Sequence, residues 1–126
     1  MSLLHSVFHT ALFRAGFKLE NTDPSPALDK EGFLRCLADW DRDVAVILAR
    51  RENIQLTQQH WEIIDLLRQF YRQFELSPAM RPLVKYIRQH LGEEQASSLY
   101  LLQLFPGSPA KIGSKIAGLP KPDNCL

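Results

Sequence analysis

Two Ser-Pro dipeptides, Ser77-Pro78 and Ser108-Pro109, and two glycines, Gly92 and Gly118, divide the second half of this 126-residue chain into lengths that suit helices. Proline in the first turn gives up an N–H that has no partner there, and glycine past the last turn accepts a left-handed backbone. Between these marks the apolar residues recur at helical spacing. Met80, Leu83, Val84, Ile87 and Leu91 share one face of a helix that opens at Ser77 and stops at Gly92. A further helix fits Glu93 to Phe105, with two acids at its positive end and Pro106 just beyond. A short one fits Ser108 to Ala117. Upstream, Thr57 can cap a helix in which Ile63, Leu67, Phe70 and Phe74 repeat, joined by Trp61 and Ile64. This is the expected central helix. Asp39 can cap another that places Trp40, Val44, Ile47 and Leu48 on one face.

The remainder reads differently. Asp29 to Gly32 suit a tight turn, and Phe33 to Leu37 the second strand of a small hairpin. Leu3, Leu4, Val7, Phe8, Ala11 and Leu12 have helical spacing, but a turn-rich stretch, Asn21 to Ala27, separates them from the rest. After Gly118 the sequence LPKPDNCL has two prolines and no apolar period, which reads as an extended tail. The expected fold class is therefore α+β, mainly a helical bundle with a small N-terminal β-hairpin and an extended, flexible C-terminal arm. Residues 1–26 form an extension of uncertain order, 27–118 the helical domain and 119–126 the arm.

Composition narrows the function classes. Fifteen Lys and Arg against fourteen Asp and Glu leave a net charge of +1, so no broad field attracts nucleic acid or an anionic membrane. No apolar run approaches the ~20 residues that span a bilayer. The first residues lack the basic start of a secretory leader, and the cytoplasm is the expected compartment. Two cysteines, Cys36 and Cys125, do not make a disulfide framework, and both are read as thiols.

Cys125, next to last in the sequence, is a poor choice for a core, because terminal residues are usually exposed. Seven residues from Leu119, at ~3.1 Å each when proline-stiffened, reach on the order of 20 Å. Pro120 and Pro122 remove in advance part of the entropy that docking would cost. Only a thiolate attacks or accepts sulfur, and Asp123 together with the terminal carboxylate disfavours it. Lys111, Lys115 and Lys121 oppose that effect. No His or Cys stands beside Cys125 in the tail, so the tail can take up and hand on sulfur but carries no complete hydrolytic or redox site.

Other candidates have plainer readings. Cys36, beside Phe33, Leu34 and Leu37, suits a small buried hydrophobe. His60 has no ligand partners at metal-binding spacing and reads as structural, and His5 with His9 makes two ligands without a third. No metal and no cofactor are expected. Arg81, Lys85 and Arg88 form a basic stripe that suits a solvated face. The same stripe, behind the turn at Phe74 to Ser77, also suits a helix-turn-helix that docks DNA, although the near-neutral charge opposes it.

Residues 104–126, LFPGSPAKIGSKIAGLPKPDNCL, closely resemble the C-terminal signature of the TusE/DsrC family of sulfur-relay proteins. The resemblance continues through DKEGFLRCLADW at 29–40, the HWEII core within 56–71 and SPAMRPLVK at 77–85, about one hundred residues in all. It implies that Cys125 carries a persulfide at the end of a flexible arm, and that Arg81 and Lys85 lie near that arm as thiolate-stabilising or partner-contacting groups. Members serving dissimilatory sulfite reductase have a second arm cysteine where this chain has Ser114. Its absence favours the TusE branch, which implies a relay for thiolation of wobble uridine in tRNA. The implied donor is a TusBCD-type complex and the implied acceptor an MnmA-type tRNA thiouridylase, with no direct tRNA binding. A dissimilatory sulfur pathway is the alternative within this class. Gly107-Ser108 also departs from the family pattern, and Ser108, a good N-cap, should tolerate the change.

Overall fold

The computed structural model describes residues 26–123. Five helices follow one another: α1 (Arg42–Arg51), α2 (Gln58–Phe74), α3 (Met80–Leu91), α4 (Ser98–Leu104) and α5 (Pro109–Ile116). The long helix α2 begins at Thr57, as its sequence predicts, and ends where Glu75 takes a left-handed backbone with φ 58°. Ile63, Ile64, Leu67 and Phe70 face the core from one side of it.

The hub of the bundle is α5 rather than α2, since α5 packs against each of the other four helices. Its sequence explains this. Ala110, Gly113, Ser114 and Ala117 give it small buried faces on which neighbours approach closely. A Cβ on Gly113 would stand 3.0 Å from Leu67 Cδ1, so the Leu67 side chain on α2 would have to give way. Ser108 and Pro109 open this helix, and Gly118 follows it with φ 75°. That glycine also lies flat on Trp40, where any Cβ would meet the indole at 2.3 Å.

Several sequence expectations are corrected. The β-hairpin reduces to one antiparallel bridge, Leu28 to Leu34. The turn itself is firm: Asp29 Oδ1 accepts the N–H groups of Glu31 and Phe33, both at 2.9 Å. Beyond Arg35 the chain enters a single 3-10 turn, Leu37–Asp39, and no strand can lengthen. Asp41, not Asp39, caps α1, its carboxylate accepting the Val44 N–H at 2.9 Å. Trp40 forces that choice, because its extended backbone (ψ 139°) aims the indole at α5 and cannot belong to a helix. Cys36 is exposed, not buried. The fourth helix is also shorter than expected: Glu93 to Gln95 form a turn, and Ser97 caps α4 by accepting the Tyr100 N–H at 3.1 Å.

His60 is structural. It is buried at the start of α2, where Nδ1 accepts the Thr57 N–H at 3.0 Å. That leaves the ring proton on Nε2, which donates to the Leu104 carbonyl at 2.8 Å. One imidazole thus closes the first turn of α2 and ties down the end of α4.

Candidate functional site

The arm starts from a root held by two half-buried side chains. The last carbonyls of a helix lack partners within it. At the end of α5 the Trp40 indole N–H donates to the Ile116 carbonyl at 2.9 Å, and Arg68 Nη1 donates to the Ala117 carbonyl at 2.7 Å. The guanidinium also stacks 3.9 Å from the centre of the Trp40 ring. Burial, and then the charge of Arg72 one turn on, pull the Arg68 pKa down. As a cation at a helix C-terminus it complements the dipole of α5.

Past Gly118 the chain is not helical, as expected, but neither does it leave the body at once. The Leu119 N–H returns to the Ser114 carbonyl at 2.9 Å, and the Leu119 side chain is buried. Ser77, buried between α2 and α3, donates its hydroxyl to the Pro120 carbonyl at 2.6 Å. Lys121 Nζ lies 3.1 Å from Glu31 Oε1, and Pro122 is buried. The segment 119–122 is therefore seated on the domain by two apolar side chains, one hydroxyl and one ion pair.

Ser77 reads in the sequence as a helix opener, yet α3 starts only at Met80 with Ala79 as its cap. Its hydroxyl serves the arm instead. Glu31 and Ser77 are thus residues that hold the segment after α5 and that the sequence reading did not single out for that role. The lone signal for Ser77 was the Ser-Pro dipeptide, which fits a cap equally well.

Of the predicted site residues, Cys125 lies outside the described residues. Lys121 and Lys111 converge on one carboxylate, Glu31, at 3.1 and 3.7 Å. The hydrogen bond and charge of Lys121 hold that carboxyl below the usual glutamate range. Lys115 is separate, its ammonium 3.0 Å from Glu52 and 5.2 Å from the centre of the Phe33 ring. Its charge is directed at the body of the protein. Arg81 and Lys85 are exposed on α3, and Arg88, the third member of that stripe, pairs with Glu93 at 3.2 Å. Ser114 is fully buried, and its hydroxyl has no hydrogen-bond partner among the described residues. His5 and His9 also lie outside the described residues, and no helix among those described is long and apolar enough to cross a membrane.

The helical body resembles solved structures. The sequence model of the family described as "DsrC like protein" matches residues 20–126, and the chain belongs to that family. It is 51% identical over 98 residues to "Sulfurtransferase TusE" of Photorhabdus laumondii subsp. laumondii, covering 78% of this chain and 88% of the relative. To the protein of the same name from Yersinia pestis it is 49% identical, with 78% and 90% covered. Among solved structures it is similar to DsrC of Allochromatium vinosum, with TM-score 0.72 and 45% identity over 79% of this chain and 89% of that one. The oxidized gamma-subunit of the dissimilatory sulfite reductase (DsrC) from Archaeoglobus fulgidus follows at TM-score 0.70 and 38% identity, covering 80% and 92%.

Proposed function

We propose that this chain is a sulfur carrier that holds sulfane sulfur as a persulfide on Cys125 and passes it to a second protein. Its activity class is that of its relatives, sulfur transfer. The observation that carries the reading is the family match, which runs through the arm to residue 126, joined to a name that states sulfur transfer in relatives about 50% identical.

The exchange balances without a cofactor. A Cys125 thiolate attacks the outer sulfur of a donor persulfide. The donor's S–S bond breaks, a new S–S bond forms to Cys125, and the donor leaves as its thiolate. Delivery is the same displacement in reverse, by an acceptor thiolate. One sulfur atom moves, and no net oxidation or reduction occurs.

The finer reading is a relay for thiolation of wobble uridine in tRNA, with a TusBCD-type complex as donor and an MnmA-type thiouridylase as acceptor. The similarity to proteins named TusE supports it, as does Ser114 in place of a second arm cysteine. Arg81, Lys85, Lys111 and Lys121 remain proposed partner contacts or thiolate-stabilising groups, and Lys115 contributes less because Glu52 offsets its charge at 3.0 Å. No observation favours the DNA-docking alternative. Incubation with a persulfidated donor complex should add ~32 Da, one sulfur atom, to the wild-type chain and nothing to Cys125→Ser. A Cys125→Ser chain that still gains the sulfur would overturn the assignment.

A further inference from the structure

The seating of residues 119–122 limits how far the proposed carrier thiol can travel. Two residues, Asp123 and Asn124, separate Pro122 from Cys125, and the three Cα–Cα steps between them, 3.8 Å each across trans peptides, span at most ~11 Å. An arm free from Leu119 would reach on the order of 20 Å. A tether of ~11 Å cannot enter a partner's cavity while the two bodies stand apart. The partner must touch this domain around the point where the arm is clipped.

Two large apolar side chains are exposed near that point, beside the exposed polar residues Arg72, Gln73 and Glu75. Leu76 immediately precedes Ser77, the residue that holds the Pro120 carbonyl, and is 53% exposed; Phe74, two residues earlier, is 47% exposed. Phe74 does not hang loose. Its ring packs 4.5 Å from Phe70 and 6.5 Å from Tyr86, centroid to centroid, so its outer face is presented in a fixed position. Rigid aromatic groups of this kind anchor interfaces, because little side-chain freedom is lost when they are covered. The other exposed apolar pair among the described residues, Leu99 and Leu102 at 69% and 40%, lies on α4. His60 ties the end of α4 to the first turn of α2, fourteen residues and ~21 Å of helix from Phe74.

We infer that Phe74 and Leu76 are the docking contact for the protein that exchanges sulfur with Cys125, and that this partner carries an apolar patch beside the mouth of its sulfur-transfer pocket. The inference rests on the carrier reading of Cys125. Ser77 acts as a positioning residue, holding the arm's departure point next to that contact.

The test is sulfur uptake from a persulfidated TusBCD-type donor complex, with KM and kcat measured separately. Phe74→Ser combined with Leu76→Ser should raise KM about tenfold, the size expected for losing an interface anchor, and leave kcat at saturating donor near wild type. Phe74→Leu, which keeps the apolar face, should restore most of the affinity. Leu99→Ser combined with Leu102→Ser should leave KM unchanged. A wild-type KM in the Phe74/Leu76 variant, or an equal rise in the Leu99/Leu102 variant, overturns the inference. If the wild-type chain takes up no sulfur, or Cys125→Ser takes up as much, the carrier reading itself fails instead.

Discussion

At its N-terminal end α2 is tied down by buried and partnered groups, whereas at its C-terminal end and just beyond it the chain exposes Phe74 and Leu76, and the arm is seated by two buried side chains, a hydroxyl and an ion pair. At the closed end, His60 spends both ring nitrogens on backbone partners, and Phe105 meets the imidazole edge-on at 5.2 Å. At the open end, the polar groups that hold the arm are a single hydroxyl and a solvent-reaching ion pair, beside the buried Leu119 and Pro122 side chains. One rigid helix therefore serves as a fixed strut at one end and a working surface at the other. Mutations at the closed end should cost stability, and those at the open end should cost exchange with partners.

The largest effect that would break this contrast is at Phe105, which is fully buried at the end of α4. Phe105→Ala removes an aromatic side chain from a packed site and should lower unfolding stability by ~3–5 kcal/mol in urea titration. A loss below ~1 kcal/mol would mean that the closed end relaxes as easily as a surface, against what large-to-small core substitutions normally cost. His60→Ala comes next. It strands the Thr57 N–H and the Leu104 carbonyl and should cost ~2 kcal/mol, with little change in sulfur uptake. A large fall in uptake with stability intact would instead tie His60 to the chemistry.

The two ends also differ in how legible they were in the sequence. Thr57 and the apolar repeat of α2 could be read directly, because capping and periodicity are local signals. So could Ser108, Pro109 and Gly118 around α5. Trp40 was placed on a helix face by its spacing, but the structure spends it on the Ile116 carbonyl, a partner 76 residues away that no local pattern announces. Ser77 failed for the same reason, since a hydroxyl before proline fits a cap and a long-range donor equally. Cys36 sits among apolar neighbours in sequence, yet the turn at Leu37–Asp39 directs it outward. Cys125 could be proposed as the carrier from its position and the surrounding family string. Its clip could not, because Glu31 and Lys121 are ninety residues apart and look like any surface charges.

A smaller effect sharpens the contrast at the root of the arm. Ser114 is enclosed in α5 with a hydroxyl that has no partner among the described residues, and an unsatisfied buried hydroxyl costs ~1–3 kcal/mol. Ser114→Ala removes that penalty and leaves almost no cavity, so stability should rise by ~1 kcal/mol. A fall of similar size would show that the hydroxyl is satisfied in solution, and the root would then be as fully partnered as the His60 end.

The smallest effect concerns the ion pair on the arm itself. Lys121 holds the Glu31 carboxyl below the usual glutamate range, with Lys111 adding to the field and Asp29 opposing it. A carboxyl whose folded pKa is depressed contributes stability that is fully present above its unfolded value of about 4.3 and is lost as pH falls through the lower folded value. The clip should therefore hold at neutral pH and loosen only in acid, and added salt should weaken it, because both side chains reach solvent. Carbon-detected NMR of the Glu31 carboxyl should show a midpoint below the ordinary range in the wild type and a return toward it in Lys121→Met. Equal midpoints in the two proteins would mean that Lys121 does not hold Glu31 in solution, leaving Ser77 and the two buried side chains to seat the arm alone.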